Sequence, residues 1–119
     1  MQAPARPWLL IFFFSTSCPF CRAALRFLQD EIHPAYKDIL EIVAVGRDHT
    51  REDLIRFQER KKYPFRFISD PDRNIYDKFS TRYVPRFYLF HGENLAWQDH
   101  GFDPEESGMI MQTLKNFLE

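Results

Sequence analysis

The sequence predicts an α/β domain built on a mixed sheet, and three observations support this prediction. Apolar runs of strand length alternate with segments of helical periodicity along most of the 119 residues. Two strand-like segments near the C-terminus are separated only by Gly92-Glu93, which is typical of a hairpin. A last segment of helical spacing follows them. The predicted order is β-α-β-α-β-α-β-β-α without an internal repeat, and this order favours a sheet that contains parallel and antiparallel strands.

The first strand and the first helix are the best-defined elements. Trp8–Phe14 is a continuous apolar and aromatic run, as in strands that are buried on both faces of a parallel sheet. Three small hydroxyl residues follow, and a helix is expected from Pro19 to Glu31 or slightly beyond, with Pro34 marking its end or a kink. Pro19 suits a first helical position, because the N–H that it lacks would have no partner there. The residues at helical spacing are Cys21, Ala24, Leu25, Leu28 and Ile32.

The middle of the chain contains shorter predicted elements. They are a strand over residues 38–45 closed by Gly46, a helix over residues 51–60, a strand over residues 65–68 and a brief helix over residues 75–79. Thr50 and Asp53 have the spacing of a capping box, which predicts the start of the second helix. Residues 70–74 have the composition of a turn.

The C-terminal part is predicted as a hairpin and a helix. The hairpin strands are residues 86–91 and 94–99, and the last helix begins at residues 103–106, where acids occupy the first turn. Its predicted buried stripe is Ile110, Leu114, Phe117 and Leu118. We expect residues 1–7 to be a tail or linker remnant and residues 8–119 to form one domain.

Composition excludes several classes of function. The net charge of −1 gives no indication of a nucleic-acid partner or of an anionic membrane surface. No apolar run approaches the roughly 20 residues of a membrane-spanning helix. The two cysteines, separated by two residues, indicate a redox or metal pair instead of a disulfide scaffold.

The cysteines are predicted to lie at the start of the first helix. The first four N–H groups of a helix lack partners within it, and the helix dipole leaves partial positive charge there. Both effects stabilise a thiolate over a thiol. We therefore predict that Cys18 is the nucleophile and that Cys21, one turn deeper, forms and opens a disulfide with it. Phe20, between them, is expected to be exposed and to contact a substrate.

These residues resemble a known family. The apolar strand that runs into Ser15–Arg22, Tyr83-Val84-Pro85 before another apolar strand, Gly92 in the hairpin and Gly101 after it are similar to thioredoxin-fold thiol–disulfide oxidoreductases of the TlpA- and ResA-like branch. The resemblance implies a thioredoxin fold, with a mixed central sheet flanked by helices on both faces. It also implies a TlpA-like insertion between the first two-strand unit and the C-terminal hairpin.

The resemblance carries further expectations for the site. It implies that Pro85 is cis and lies against the cysteines, and that Val84 offers backbone groups to an extended substrate. Pro19, Phe20 and Pro85 would support the active site, and Phe20, Tyr83 and Val84 would bind substrate. The expected activity is disulfide exchange with cysteine-containing protein substrates and a redox partner protein, in the direction of reduction, without metal or cofactor. A monomer in a periplasmic or otherwise exported bacterial setting is expected.

Three positions depart from the family pattern. Phe12 stands where thioredoxins carry a buried aspartate, and Ala24 stands where TlpA- and ResA-like proteins often carry a glutamate. Ser17 replaces the usual tryptophan before the first cysteine. Since both acids are thought to help move the proton of the second cysteine, their absence leaves that proton route open.

Other interpretations of the cysteine pair remain. The pair is also compatible with a structural disulfide, or with a thioredoxin-fold module that carries a metal or binds a partner without redox turnover. Copper binding of the metallochaperone kind would require a different cysteine spacing and a distal histidine. A peroxidase would require a threonine and a proline where Ser15 and Ile11 stand. No histidine has a ligand-like spacing to another, so all are interpreted as surface or loop residues: His33, His49, His91 and His100.

Overall fold

The fold is described from a computed structural model, which covers residues 6–79 and 83–119. The five strands are β1 (Trp8–Phe14), β2 (Leu40–Arg47), β3 (Arg66–Asp70), β4 (Arg86–His91) and β5 (Asn94–His100). The α-helices are α1 (Pro19–Phe27), α2 (His33–Tyr36), α3 (Arg51–Lys61) and α4 (Ser107–Leu118). A π-helical turn (Leu28–Ile32) joins α1 to α2, and 3₁₀ turns occupy Tyr76–Lys78 and Pro104–Glu106.

The sheet places four chain segments at one edge. Its strand order is β3-β2-β1-β4-β5, with β1, β2 and β3 parallel and β4 antiparallel to both of its neighbours. The carboxyl end of β1 therefore lies beside the carboxyl end of β2 and the amino end of β4, where Phe13 pairs with Arg86. Arg86 in turn pairs with His100 at the end of β5. The segments after β1, after β2, before β4 and after β5 thus converge, and the thioredoxin-like α/β architecture is confirmed.

The two faces of the sheet are covered by helical segments of very different size. Phe12 and Phe14 point into the larger core cluster, to which all four α-helices contribute. Phe13 points to the opposite face, where it packs in a smaller cluster with Tyr76 of the 3₁₀ turn and with Tyr88. Both faces are needed to bury β1, which explains why its second half is apolar without alternation.

The first helical segment continues beyond α1. The N–H of His33 donates to the carbonyl of Leu28, five residues back, so the chain widens into a π turn before it resumes as α2. Pro34 sits in the first turn of α2, where its missing N–H has no cost. The sequence prediction of an end or a kink at this proline therefore corresponds to a π turn followed by one more turn of helix.

Two expectations require correction. Gly46 does not close β2, because it pairs with Phe14 inside the strand. A β-carbon there would lie 2.8 Å from Leu54 Cδ2, so Leu54 would have to shift to accommodate it. Phe117 is not part of the buried stripe of α4: its side chain is 38% exposed, and it lies at the rim near Trp8.

Other predicted element ends lie one to three residues from those in the structure. Some predicted helical segments are 3₁₀ turns instead of α-helices. β2 starts at Leu40 because residues 37 and 38 are exposed and the Ile39 N–H donates to the Tyr36 carbonyl. The brief helix of residues 75–79 is a 3₁₀ turn, and another 3₁₀ turn precedes α4. α3 and β3 lie between β2 and the hairpin, and their equivalence to the TlpA-like insertion stays a prediction.

The predicted tail at residues 1–7 is described only in part. Residues 1–5 of the tail lie outside the described residues, and the division at residue 7 stays a prediction. The Gly92 N–H donates to the carbonyl of Pro7.

Within residues 6–79 and 83–119, none of the helices combines the length and the apolar character that a membrane crossing requires.

Candidate active site

The start of α1 brings the two cysteines together as the sequence predicts. Cys18 is the N-cap of α1, with extended backbone angles of φ −90° and ψ 114°, and Pro19 follows in the first turn. The backbone N–H of Cys21 donates to Cys18 Sγ over 3.2 Å. The Cys18 sulfur therefore accepts one of the hydrogen bonds that the first turn leaves unmade, as a serine or aspartate cap would.

The two thiols have contrasting environments. Both are free; Cys18 is half-buried, whereas Cys21 is completely buried. Burial raises the pKa of the Cys21 thiol far above its ordinary value, and its hydrogen bond and charge interaction with Cys18 raise that pKa further. A backbone hydrogen bond with Ser15 and the positive charge of Arg47 act in the opposite direction on the Cys21 pKa. Only the outer cysteine is therefore placed to react with a large substrate.

The loop between β1 and α1 is held through both backbone polar groups of one residue, Thr16. The Thr16 carbonyl accepts a hydrogen bond from Arg22 Nη1 at 2.9 Å, and the Thr16 N–H donates to Nε2 of His49 at 3.0 Å. The Ser15 carbonyl accepts the N–H of Cys18 at 3.1 Å. The sequence analysis did not assign His49 to the site. Its place directly after the strand next to β1 was the available signal, because parallel strands end at the same edge.

The cis-proline loop lies at the same edge. The Val84–Pro85 peptide bond is cis, as the family resemblance implied. Tyr83, before it, has a φ of +73° in the left-handed region, and its side chain is 59% exposed. The Pro85 carbonyl accepts the N–H of Gly101, which ties the loop to the end of β5.

Tyr76 anchors this loop from within the smaller core cluster. It is completely buried, and its hydroxyl donates to the Tyr83 carbonyl at 2.7 Å. The buried Asp70 carboxylate accepts the N–H groups of Ile75 and Tyr76 at 3.0 and 2.8 Å, which fixes the 3₁₀ turn that carries the ring. The sequence analysis assigned Asp70 to a turn and Tyr76 to a brief helix, since nothing local predicts a hydrogen bond from Tyr76 to a residue seven positions later.

Arg47 adds a partly buried positive charge beside Tyr76. Its guanidinium carbon lies 4.9 Å from the centre of the Tyr76 ring, within cation–π range. Its Nε is buried and has no hydrogen-bond partner among the described residues, although an Asp48 carboxylate oxygen lies 3.7 Å away. This charge is the one that lowers the pKa of Cys21.

A groove runs along the cis-proline and Phe20, which lies between the two cysteines in the sequence. Its volume is about 600 Å³, and Phe20 contributes a side chain that is 58% exposed. Tyr83 lies near its end, stacked on His100 with ring centres 6.0 Å apart. The groove is lined by Phe20, Val84, Pro85, residues 99–103, Glu106, Met109 and Ile110. The predicted substrate-binding residues are therefore brought to one surface.

The positions that depart from the family pattern are apolar or exposed. Phe12 and Ala24 are completely buried in the larger core cluster, so no carboxylate stands at either place. Ser17 is exposed, and its hydroxyl lies 3.0 Å from that of Ser15. Over the described ranges 6–79 and 83–119, no three His, Cys, Asp or Glu side chains converge in a group that would hold a metal ion.

Comparisons with known proteins agree with this geometry. The AhpC/TSA family matches residues 2–96 of the chain. The thiol-disulfide oxidoreductase YkuV of Bacillus subtilis (strain 168) is 31% identical over 107 residues, which are 86% of this chain and 70% of that protein.

Solved structures share the fold at low identity. A thiol:disulfide interchange protein DsbE from Chlorobium tepidum superposes with a TM-score of 0.84 at 20% identity, over 94% of this chain and 80% of that chain. StoA from Bacillus subtilis gives a TM-score of 0.72 at 16% identity, over 89% and 84% of the two chains. The chain thus belongs to the AhpC/TSA family, and within it to the thioredoxin-fold thiol–disulfide oxidoreductases of the TlpA/ResA-like branch.

Proposed function

We propose that the chain reduces disulfides of protein substrates, with Cys18 as the nucleophile and Cys21 as the resolving cysteine. The Cys18 thiolate attacks a substrate disulfide and forms a mixed disulfide, which releases the first substrate thiolate. Cys21 then attacks Cys18 Sγ and releases the second, so the substrate gains two electrons and the chain is left with a Cys18–Cys21 disulfide. The observation that carries this proposal is the contrast within the pair: a half-buried Cys18 at the helix start and a completely buried Cys21.

The second step depends on the environment of Cys21. In the free reduced pair, burial and the interaction with Cys18 both raise the Cys21 pKa. Once Cys18 is joined to the substrate it carries no charge, so the part of the shift that comes from Cys18 is removed. The charge of Arg47 and the Ser15 backbone, which both lower the Cys21 pKa, then oppose burial alone. Formation of the mixed disulfide would in this way promote ionisation of Cys21 without a neighbouring carboxylate.

The groove supports the proposed substrate roles of the neighbouring residues. Val84 would present its backbone to an extended substrate segment, and Phe20 and Tyr83 would contact that segment with exposed aromatic surface. Pro19 and Pro85 would support the site by shaping the helix start and the wall of the groove.

The direction of reduction is supported by the family resemblance, and the reduction potential of the Cys18–Cys21 pair tests it. We expect a reduction potential closer to the roughly −270 mV of thioredoxin than to the roughly −120 mV of DsbA. Equilibration with dithiothreitol and glutathione buffers measures it, and a potential near the DsbA value would contradict the assignment as a reductase.

The roles of the two cysteines are tested by single substitutions in an insulin-reduction assay. Cys18→Ser should abolish turnover, because no nucleophile remains. Cys21→Ser should stop turnover after the first step and accumulate mixed disulfides that are visible on non-reducing gels. Ala35→Ser, at an exposed position on α2, is the control and should retain full activity. Mixed disulfides that form through Cys21 in Cys18→Ser would reverse the assignment.

The same preparations separate this function from that of a metal carrier. Metal analysis of the reduced protein, together with thiol titration, should show one reversible two-electron couple and no stoichiometric metal. Stoichiometric metal that is lost in both cysteine variants would favour the carrier. We further propose a redox partner protein that restores the dithiol, a monomeric state and an exported bacterial setting, which the family resemblance supports.

A further inference from the structure

His49 contacts the loop that leads into the proposed nucleophile. Its Nε2 lies 3.0 Å from the Thr16 nitrogen and 3.3 Å from the Thr16 hydroxyl. Because the backbone N–H donates this bond, Nε2 must be the ring nitrogen without a proton. Thr16 is two residues before Cys18, and its carbonyl is fixed independently by Arg22.

The imidazole is itself held in place by the end of β2 and the start of α3. The His49 N–H donates to the Gly46 carbonyl, and Asp48 between them has a φ of +72°. The ring packs 6.3 Å from the ring of Phe14, and its side chain is 16% exposed. Its Nδ1 faces Asp53 at 3.8 Å, the residue that closes the capping box of α3 with Thr50. The ring is thus positioned between a carboxylate and the nucleophile loop.

We propose that His49 is a positioning residue for Cys18: its neutral imidazole holds the Thr16 peptide N–H, and protonation releases that hold. An imidazolium ion carries a proton on both nitrogens and accepts no hydrogen bond, so it would turn from Thr16 toward the Asp53 carboxylate. The hold on the Thr16 N–H therefore depends on which nitrogens of the ring carry a proton. His49 and Thr16 line a surface cavity that is separate from the groove beside the cis-proline. The charged groups that face the ring or line this cavity are Asp48, Asp53, Arg56, Glu59 and Arg60. This inference rests on the proposed role of Cys18 in disulfide exchange.

Three variants test the proposal on the full chain. His49→Gln keeps an acceptor oxygen at a similar reach but does not titrate, and His49→Leu removes the acceptor. His91→Gln is the control, because His91 stacks on Trp8 at the opposite end of β1 from the cysteines. The readouts are hydrogen-exchange protection of the Thr16 amide by NMR and the alkylation rate of Cys18 by iodoacetamide, both measured from about pH 5.5 to 8.5.

The expected results differ between the variants. In the native chain, Thr16 protection should be lower at the acid end of the pH series than at the alkaline end, whereas in His49→Gln it should stay constant. In His49→Leu it should be low at every pH, and Cys18 alkylation above neutral pH should fall about fivefold, which corresponds to the loss of one hydrogen bond. His91→Gln should reproduce the native profile.

Two outcomes would overturn the proposal. The first is a His49→Leu variant that keeps native Thr16 protection and native alkylation. The second is a pH dependence of Thr16 protection that survives in His49→Gln. Unfolding midpoints identify a variant that does not fold. If His49→Leu does not fold, the comparison of His49→Gln with the native chain decides whether the proposal holds. If the native chain fails to reduce insulin while these profiles hold, the proposed function is wrong and the role of His49 in positioning Cys18 still stands.

Discussion

Single buried side chains shape the cis-proline loop of this protein from the side opposite the cysteine helix. Tyr76 carries the only hydroxyl of the described residues that reaches the Tyr83 carbonyl, and it does so from a completely buried position. Loss of that hydroxyl would leave the carbonyl without its protein partner, next to a residue in the left-handed region. The loop, and not the thiol chemistry, depends on this bond.

Tyr76→Phe should therefore weaken substrate binding while Cys18 stays reactive. The expected change is a rise in KM of about fivefold, equivalent to about 1 kcal/mol, with little change in the alkylation rate of Cys18. Tyr88→Phe is the matched control, because it also loses a buried hydroxyl, which donates to the Phe79 carbonyl instead. Steady-state insulin reduction measures both variants. Equal effects of the two would show that the Tyr76 bond contributes stability only.

Contacts between residues that are distant in the sequence could not be predicted from the sequence alone. Cys18, Cys21 and Phe20 were placed correctly, because the proline and the helical spacing next to them determine their geometry locally. His49 and Thr16 are 33 positions apart, and their contact exists only because β1 and β2 end side by side. Tyr76 and Arg47 depend in the same way on tertiary packing, which propensities and spacing do not contain.

At the scale of elements, the approach of α3 to the sheet depends on a missing side chain. Gly46 lies in β2 under Leu54 of α3, and a β-carbon there would also lie 3.3 Å from the His49 β-carbon. α3 and the loop that carries His49 therefore share one contact point on β2.

Gly46→Ala should destabilise the fold, because Leu54 is buried and must move to accommodate a methyl group 2.8 Å from its Cδ2. The expected loss in the free energy of unfolding is about 1–3 kcal/mol. Gly108→Ala is the control: it lies in α4 with no atom within 4 Å of the added carbon, and we expect a gain of up to about 1 kcal/mol. Urea unfolding compares the two. A stabilised Gly46→Ala would mean that Leu54 moves aside without cost.

Element types were predicted better than element ends and faces. Every predicted strand exists, and every predicted helix except the brief one over residues 75–79, which is a 3₁₀ turn, contains an α-helix, since hydrophobic periodicity is set by burial on the sheet. The prediction that Phe117 is buried was wrong, because helical spacing alone does not determine how far the packing against a helix extends around it. The π turn before Pro34 likewise depends on packing that the local sequence does not specify.

At the scale of the whole molecule, the last described residue closes the larger core. The Tyr36 hydroxyl donates to a Glu119 carboxylate oxygen at 2.5 Å, which joins α2 to the end of α4 across 83 residues of sequence. Burial, followed by this hydrogen bond and the charge of Glu119, raises the pKa of Tyr36 to about 12. Because the folded state holds this proton more tightly than the unfolded chain does, the contribution to stability is complete below the ordinary tyrosine pKa of about 10 and is lost as the pH rises toward 12.

Tyr36→Phe should consequently cost stability at neutral pH and cost less in alkali. The expected loss is about 0.5–1.5 kcal/mol at neutral pH, for one hydrogen bond. The difference from the native chain should shrink as the pH rises from about 10 to 12. Urea unfolding in the presence of a reductant measures it, and Tyr63, whose pKa burial also raises, titrates in both proteins alike. A difference that stays constant up to pH 12 would contradict the assigned pKa shift.

The distance between Trp8 and the cysteines has a practical consequence. Trp8 opens β1 and stacks on His91 with ring centres 4.4 Å apart, whereas the cysteines follow the other end of that strand, about 20 Å away at the rise of a β-strand. Ser17 occupies the position where an indole would adjoin Cys18. The fluorescence emission of Trp8 should therefore stay nearly constant between the dithiol and disulfide forms. Trp8 is thus a poor reporter of the redox state of the pair, whereas the mass shift after thiol labelling reports it directly.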